Sequence, residues 1–507
     1  MGGLAFERVV IDGVPAYVGN HHGHVVAGLT FRVGTADEPA LDRGTTALLA
    51  ELAVIDIDDV AFDVGATLTS FVVSGHAAAV ADALAAVCNA LPAFDDDDLV
   101  QLADTILDEP ADIPALQTTM LGLRFGAQVY GMTAVAPFGL LRLDGERARA
   151  WADRFFSRGN AALWSSGPLA PNIALPLPDG DRVASPPRVE AECALPAWCP
   201  NSWLGSVFRD AVDCSIVAAG SDATTVAVRA FAAEMRERLH DSDLAGSEAQ
   251  LDVTTWGPEL THIALTLPTR AHGNDGIECI LGTIDDFTDL GPDPDELADA
   301  IEEIRASCTD AKNAHVVAEM LADDELRTGR PRTLDELLES VRNVTATDVA
   351  AVFDEMRNEI MVAVPSDAEI VDARFALLER ATGFALDGTR YRRAKTTGTP
   401  DDDARLIVGP DGVAYVRADE VLTVCFDDCV AAVTYPTREI TLVDIDGTII
   451  EVAESDWHDG ALAFATIEAA LPPEITLVAR RSFGTPEPVE PPAELVESAA
   501  PIWTDSL

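Results

Sequence analysis

Apolar and polar residues alternate along the N-terminal part of the chain, first with the period of strands and then with that of helices. Residues 9–16 and 25–33 predict the two strands of a hairpin joined by the polar turn 19–24, and residues 65–73 predict a third strand. Leu48, Leu49, Leu52 and Ile55 have the spacing of a helix that begins near residue 45. Two more helices are predicted over residues 77–91 and after the acidic run 95–98, and residues 160–167 predict a closing strand.

A Pro-rich stretch, residues 168–200, separates this unit from a second one with the same order of elements. The second unit is predicted to contain strands at 215–219, 249–255, 262–267 and 359–364, and helices at 223–239, 295–308, 311–323, 334–341 and 347–356. The matching order predicts an α+β fold built from two duplicated α/β halves.

The pattern changes again beyond residue 393, to short strands separated by turn residues and closed by one helix, residues 460–471. The strands are predicted at 404–408, 413–416, 421–426, 429–435, 439–443 and 448–452. This small β domain with a C-terminal helix resembles pleckstrin-homology-like folds. The predicted boundaries are 1–180 for the first half, 181–205 for a Pro-rich linker, 206–380 for the second half, 400–482 for the β domain and 483–507 for an acidic, Pro-rich mobile tail.

Charge excludes two classes of partner. The 507 residues include 34 Lys+Arg and 86 Asp+Glu, a formal net charge of −52, which repels phosphate backbones and anionic lipid headgroups. We therefore expect neither nucleic acid nor membrane partners. The sequence encodes neither a secretory leader nor an apolar run long enough for a membrane span, so we expect a cytoplasmic protein. The 8 cysteines include no CxxC pair, which favours reduced thiols.

Several segments of the two halves, in this order and spacing, resemble the pitrilysin/insulinase metallopeptidases. The segments are the opening hairpin, residues 33–39 (VGTADEP), 43–44 (RG), 154–156 (RFF), 160–167 and, in the second half, 341–349 (VRNVTATDV). The resemblance covers about residues 5–370. It implies a fold of duplicated halves, and an inverted zinc motif, His-x-x-Glu-His, on the first helix of the N-terminal half.

Carrying that motif over places Ala47 and Glu51 at the positions of the two zinc-binding histidines and Ala50 at that of the catalytic glutamate. The family's third ligand, a glutamate on a later helix, falls at Glu109. A catalytic zinc needs three protein ligands plus water, and hydrolysis needs a proton acceptor. The resemblance therefore implies a degenerate site without zinc or any other cofactor.

The resemblance also implies a substrate clamp in the second half, formed by an Arg and a Tyr in a pattern like Arg-Gly-Leu-Ala-Tyr. The nearest match is residues 242–246, SDLAG, in which Ser242 and Gly246 stand at the clamp positions. Both residues differ from the family pattern, so we expect the clamp to be lost together with the metal.

Three other patterns carry candidate chemistry. His21, His22 and His24 are close enough in sequence to hold a transition metal, although a solvated turn is the favoured interpretation. Residues 95–98, DDDD, lack the spacing of an EF-hand and are interpreted as a charged helix start. Asp444-Ile445-Asp446-Gly447-Thr448 resembles the DxDGT signature of haloacid-dehalogenase-type phosphatases, with Asp444 as nucleophile and Asp446 as acid/base, but only 59 residues and no Lys follow it. The favoured interpretation is therefore a hairpin with a type I′ turn at Asp446-Gly447.

Together these patterns predict a non-catalytic pitrilysin-like pseudopeptidase that acts as a partner or scaffold subunit. Its partner is expected to be another protein, either an active pitrilysin-like zinc peptidase in peptide or leader processing or a second copy of the chain. The alternatives are a stand-alone peptide-binding or assembly protein, an active metallopeptidase with displaced ligands, and a phosphatase acting through Asp444 and Asp446.

Overall fold

The computed structural model describes most of the chain. The described residues are 4–108, 116–189, 201–206, 211–240, 248–258, 260–269, 273–365, 368, 370–378, 384, 386–394, 404–417 and 420–479. The predicted tail, residues 483–507, lies outside them. Within the described part of the chain, no helix has the length and apolar character needed to cross a bilayer.

The first unit is a six-stranded mixed sheet with helices on one face. Its strands are β1 (Phe6–Ile11), β2 (Val14–Gly19), β3 (Val25–Phe31), β4 (Val60–Val64), β5 (Thr69–Gly75) and β6 (Ala161–Ser165). Its helices are α1 (Thr45–Val54), α2 (Ala77–Ala90), α3 (Asp96–Asp108), α4 (Leu116–Phe125) and α5 (Gly145–Phe155). Apolar residues of α1, α2, α3 and α5 form one core with the sheet.

The predicted opening hairpin is wrong in two respects. The segment 9–16 is not one strand, because Asp12 and Gly13 form a tight turn with positive φ angles of 50° and 86° and separate β1 from β2. The second strand of the predicted pair, β3, does not contact β2, because β6 lies between them, parallel to β2 and antiparallel to β3. The last strand of the unit is therefore central to its sheet.

The second unit repeats this architecture. Its strands are β7 (Ser202–Ser206), β8 (Ala211–Ala218), β9 (Gln250–Gly257), β10 (Leu260–Pro268), β11 (Ile360–Pro365) and β12 (Ala376–Leu377). Its helices are α6 (Asp222–His240), α7 (Gly273–Leu290), α8 (Pro294–Thr309), α9 (Ala314–Thr328), α10 (Leu334–Arg342) and α11 (Ala346–Asn358). Residues 202–205, assigned to the linker from the sequence, belong to β7, which pairs in parallel with β11. Helix α7 is absent from the predicted set.

Each unit packs one of its helices against the sheet of the other unit. Helix α4 of the first unit contacts β8 of the second unit's sheet, and helix α9 of the second unit contacts β2, β3 and β6 of the first unit's sheet. Each of these sheets is thus covered on one face by its own helices and contacted on the other by a helix of the other unit. The interface is consequently part of the folded core rather than a loose contact between domains.

The C-terminal β domain consists of two four-stranded sheets and one helix. The first sheet contains β13 (Thr389–Arg392), β14 (Arg405–Val408), β15 (Gly412–Arg417) and β16 (Glu420–Cys425). The second contains β17 (Cys429–Tyr435), β18 (Glu439–Asp444), β19 (Ile449–Ala453) and β20 (Thr476–Val478), with α12 (Gly460–Ala470) before β20. Both sheets and α12 share one core. Since β13 pairs with β14, this sheet begins before residue 400, the predicted start of the domain.

Candidate functional site

Helix α1, which carries three of the motif positions, begins at a tightly organised N-terminus. Gly44 adopts a left-handed conformation, with φ of 101°, just before the helix. The Glu38 carboxylate accepts hydrogen bonds from the backbone N–H groups of Gly44 at 2.9 Å and Thr46 at 2.7 Å, and pairs with Arg43 at 3.1 Å. Burial raises the pKa of Glu38, and the Arg43 charge opposes this shift. Glu38 therefore caps α1 in place of a residue adjacent to the helix.

The three motif positions of α1 point in two directions. Ala47 and Glu51, one helical turn apart, are both partly exposed and share one face. Ala50 is fully buried, with 0% of its surface exposed, in the core of the first unit. A proton acceptor at position 50 would have to displace packed apolar side chains.

The remaining predicted site positions are not all within the described residues. Helix α3, which leads to Glu109, packs against α1, whereas Glu109 itself lies outside the described residues. Ser242 and Gly246, the two clamp positions, also lie outside them. The structure thus places α3, the helix that leads to the predicted third ligand, next to α1.

The residues present on α1 do not fit a catalytic zinc ion. A methyl group occupies position 47, where the resemblance implies the first ligand, and another occupies position 50, where it implies the base that activates water. Among the described residues, no group of three His, Cys, Asp or Glu side chains is arranged to hold a metal ion. We therefore assign no zinc-dependent step to this helix.

The histidine and aspartate runs noted in the sequence occupy ordinary structural positions. His21 lies after β2, and its backbone N–H donates to Ser166 O at 3.1 Å. At the start of α3, the Asp97 N–H donates to Asp95 Oδ1 at 2.7 Å, and Asp96 pairs with Arg149 of α5 at 2.5 Å. These contacts account for the acidic run as a helix start.

The phosphatase-like stretch forms the turn between β18 and β19. The Asp444 carboxylate, in a residue only 6% exposed, accepts hydrogen bonds from the N–H groups of Cys425 at 3.2 Å and Asp446 at 3.3 Å. Burial, followed by the negative charge of Asp446, raises the pKa of Asp444 to about 7. Asp446 accepts a hydrogen bond from Thr448 N–H at 2.8 Å. Both carboxylates are thus engaged with the backbone of their own hairpin.

The predicted type I′ turn is wrong in detail. Gly447 has a positive φ of 87°, but Asp446 does not, as a type I′ turn would require. Gly447 N–H donates to Asp444 O at 3.0 Å, and Asp444 N–H donates to Thr448 O at 2.8 Å. The connection is therefore a three-residue loop with a left-handed glycine at its end.

Polar side chains also meet between the two units, at positions that the sequence does not single out. Glu325 of α9 accepts hydrogen bonds from Tyr17 at 2.7 Å and from Arg8 at 2.6 and 2.8 Å. Two further carboxylates of α9, Glu319 and Asp323, are partly buried. Burial and then Asp323 raise the pKa of Glu319 to about 7, and burial raises that of Asp323 to about 6. Residues so far apart in sequence give no local signal of their proximity.

A serine and a histidine also meet inside the second unit. Ser215 Oγ lies 2.9 Å from His262 Nε2, on neighbouring strands β8 and β10. Ser215 is 0% and His262 6% exposed, and burial, followed by the Arg124 charge, lowers the pKa of His262 to about 3. Because both side chains are buried, we interpret this contact as a structural hydrogen bond.

Comparison with known proteins identifies the fold. No family model and no curated protein sequence matches the chain. Among solved structures, a putative M16-like peptidase from Alicyclobacillus acidocaldarius is similar with a TM-score of 0.54 and 12% identity, over 72% of this chain and 99% of that one. The peptidase M16 inactive domain from Pseudomonas fluorescens is similar with a TM-score of 0.53 and 14% identity, over 72% and 99%. A chain of complex III2 from Candida albicans gives a TM-score of 0.55 and 12% identity, over 71% and 95%.

These likenesses confirm the predicted fold class. The chain has a mixed α+β fold, and its two units of like topology correspond to the duplicated halves of the M16 peptidase fold. At 12 to 14% identity, the likeness concerns the fold alone.

Proposed function

We propose that this chain is a non-catalytic pitrilysin-like subunit that acts as a partner or scaffold for another protein. The observation that carries the proposal is Ala50, a fully buried methyl group where the family's helix carries its general base. Water attack on a peptide bond needs a positioned proton acceptor, and alanine cannot supply one. On this proposal the fold is kept while the side chains for hydrolysis are replaced, and the chain acts through its shape and its contacts with other proteins.

The preferred partner is an active pitrilysin-like zinc peptidase, with which this chain would process peptides or leader sequences. This choice rests on the resemblance, since members of that family commonly work as pairs of a zinc-bearing and a non-catalytic chain. A second copy of the chain is the other candidate partner. We place the activity in the cytoplasm and assign the chain no zinc or other cofactor of its own.

The negative charge of the chain opposes its association with a second copy. Specific interfaces bury on the order of 1,000 Å² or more, and identical chains with a net charge of −52 repel each other. Salt screens this repulsion over about 10 Å at 0.1 M. Self-association should therefore strengthen with salt, whereas pairing with a less acidic peptidase should depend on salt more weakly.

The β domain is proposed to contribute protein contacts rather than lipid binding. Its two four-stranded sheets share one core with α12, but β20 follows this helix and pairs in parallel with β17, which departs from the expected pattern of antiparallel strands closed by a C-terminal helix. The turn between β14 and β15, residues 409–412 (GPDG), contains no basic side chain to hold a phosphoinositide. An acidic protein surface suits a protein partner better than an anionic membrane.

The test combines metal analysis with measurement of assembly. The chain is purified without chelator, its zinc content is measured, and light scattering at low and high salt is recorded with and without a peptidase from the same source that has an intact His-x-x-Glu-His motif. We expect substoichiometric zinc and a complex with the peptidase or with a second copy.

Three outcomes would favour the alternatives. About one zinc per chain, lost in Glu109→Ala, would favour an active metallopeptidase with displaced ligands. A strict monomer under all conditions that still binds peptides would favour a stand-alone peptide-binding or assembly protein. Magnesium-dependent phosphate release that is abolished by Asp444→Asn would favour the phosphatase.

A further inference from the structure

The segment that follows α4, residues 125–138, lies between the β domain and the second unit, and we call it the connecting segment. Its apolar side chains belong to two separate clusters. The cluster shared with the β domain contains Ala127, Met132, Val135 and Phe138 of the segment and Ala431, Val433, Val443, Leu477 and Ala479 of the β domain. The cluster shared with the second unit contains Phe125 and Tyr130 of the segment and Val217, Trp256 and Leu260 of the second unit.

The contact with the second unit is aromatic. The ring of Tyr130 stacks on that of Trp256, with the centroids 4.6 Å apart and an interplanar angle of 9°. Phe125 meets the same indole edge-on, with the centroids 6.2 Å apart. All three side chains are buried. Because aromatic pairs stabilise a structure only in particular geometries, this contact depends on where the connecting segment places Tyr130.

The contact with the β domain combines a backbone hydrogen bond with apolar packing. Ala127 N–H donates to Ile445 O, in the turn between β18 and β19, at 2.9 Å. Gly126 lies so close to the same oxygen that a Cβ on it would collide with the turn. On β17, Val433 faces the connecting segment, whereas Ala432 next to it belongs to the core of the β domain. The docking face can therefore be altered separately from the core that folds the domain.

Val129 lies between these two contacts in an unfavourable backbone conformation. Its φ is 45°, a value that steric contacts with the backbone make rare for side chains branched at Cβ. Such a conformation costs free energy and persists only where the surrounding structure imposes it. The hydrogen bond at Ala127 lies two residues before Val129, and the stacked ring of Tyr130 follows it directly. The two contacts together therefore hold Val129 in this conformation.

We propose that the connecting segment is a strained link that couples docking of the β domain to the packing of the two units on each other. While the β domain is docked, the contacts of Ala127 and Tyr130 hold Val129 at a positive φ. When the β domain undocks, Val129 relaxes to a negative φ, and this rotation of the backbone moves Tyr130 off Trp256. Loss of the stack weakens the contact at Ala127 in turn, because coupling between two sites is reciprocal. The β domain thereby controls how tightly the two units are held together beside α4.

The first experiment undocks the β domain in the full chain and observes Trp256. The seven tryptophans are replaced by fluorotryptophan, and the fluorine resonance of Trp256 is identified by its loss in Trp256→Phe. Val433→Arg places a charge in the docking face, and should lower the protection of Ala127 N–H from hydrogen exchange about tenfold or more. The Trp256 resonance should shift in the same variant. The matched control is Leu462→Arg, which adds the same charge to α12 at a residue that is 61% exposed and should change neither signal.

The second experiment disturbs the other contact. Tyr130→Ala removes the stack on Trp256, and should lower the protection of Ala127 N–H about threefold or more. Tyr17→Ala also removes a buried tyrosine from the interface between the two units, at a site apart from the connecting segment. This control should leave Ala127 N–H as well protected as in the wild-type chain.

The third experiment tests the strain itself by comparing Val129→Gly with Val129→Ala. Both substitutions remove the isopropyl group, but only glycine adopts a positive φ without steric cost. Ala127 N–H should therefore exchange about threefold or more slowly in Val129→Gly than in Val129→Ala.

Exposure of Ala127 N–H in Val433→Arg with an unshifted Trp256 resonance would overturn the proposal. Equal exchange of this amide in Val129→Gly and Val129→Ala, or in Tyr130→Ala and Tyr17→Ala, would overturn it as well. If Val433→Arg also exposes the amides of β14 and β15, that variant has unfolded the β domain, and the comparisons at Tyr130 and Val129 decide. None of these outcomes depends on whether the chain pairs with a peptidase.

Discussion

The Tyr17 hydroxyl of the first unit donates a 2.7 Å hydrogen bond to the Glu325 carboxylate of the second. Arg8, on the strand next to Tyr17, donates to the same carboxylate through Nε and Nη2. In the first unit, Arg124 of α4 donates to Ser215 O in the second unit's sheet at 2.8 Å. Helices α4 and α9 therefore each carry a charged side chain whose hydrogen-bond partners belong to the other unit. These contacts fix how the two units sit on each other.

We expect Glu325→Ala to destabilise the chain. The substitution leaves the Tyr17 hydroxyl, in a residue 2% exposed, without its acceptor and removes the partner of Arg8. Loss of one partner of a buried polar contact costs about 1 to 3 kcal/mol, and Arg8 is exposed enough to be hydrated in part. Denaturant unfolding of the two proteins measures the difference. The matched control is Glu302→Ala, which removes an ion pair of α8 on the surface and should leave the unfolding midpoint unchanged.

The melting temperature of the chain should fall as pH rises from 5 to 8. The pKa values of Glu319 and Asp323, about 7 and about 6, are raised above their ordinary values by burial. Groups that bind protons more tightly when folded contribute stability at low pH and lose it as pH passes through those values. Glu319→Gln should flatten the dependence of the melting temperature on pH, and Asp444→Asn should flatten it further by an independent amount. A melting temperature that stays constant from pH 5 to 8 would contradict this assignment.

Helices could be predicted from the sequence where a capping motif and an apolar stripe occur together. Helices α8, α10 and α11 begin with capping boxes at Asp293, Thr333 and Thr345, and each carries an apolar stripe. Helix α7 was missed because glycine and aspartate at 273–276 are typical of a loop. The turn at Asp12-Gly13 was missed because apolar residues on both sides continue the strand pattern. The insertion of β6 between β2 and β3 depends on contacts distant in sequence, which no local pattern specifies.

Only part of the candidate site could be predicted. The position of Ala47, Ala50 and Glu51 on one helix follows from apolar periodicity and from the resemblance. The burial of Ala50 and the cap formed by Glu38 depend on how the loop before α1 folds back, and the sequence does not show this. The hairpin that contains Asp444 follows from the turn residues of the sequence, but the position of its turn against Gly126 becomes visible only in three dimensions.

We expect no magnesium-dependent hydrolysis of phosphomonoesters by this chain. The Asp444 carboxylate is bonded to two backbone N–H groups, and Ile445 O beside it is bonded to Ala127. A nucleophile must be accessible to substrate, and Asp444 is 6% exposed. Release of phosphate from p-nitrophenyl phosphate should equal the background in the wild-type chain and in Asp444→Asn alike. Turnover by the wild-type chain that disappears in Asp444→Asn would refute this prediction.

The paired substitution Ala47→His and Glu51→His should create zinc affinity without peptidase activity. The two positions lie one turn apart on a partly exposed face of α1, so two imidazoles there can share one metal ion. Hydrolysis should remain absent, because position 50 still carries a methyl group and no base. Zinc binding is measured by equilibrium dialysis, and hydrolysis by cleavage of a mixture of unstructured peptides.

The control for this prediction is Ala47→Gln with Glu51→Gln, which fills the same space without a strong metal ligand and should bind no more zinc than the wild-type chain. Adding Ala50→Glu to the histidine pair should lower the unfolding free energy by about 2 kcal/mol or more, since a carboxyl group would enter a site that is 0% exposed. Peptide cleavage by the two-histidine variant alone would show that another group acts as the base. Stoichiometric zinc in the wild-type chain would show that the chain holds the metal without histidines at positions 47 and 51.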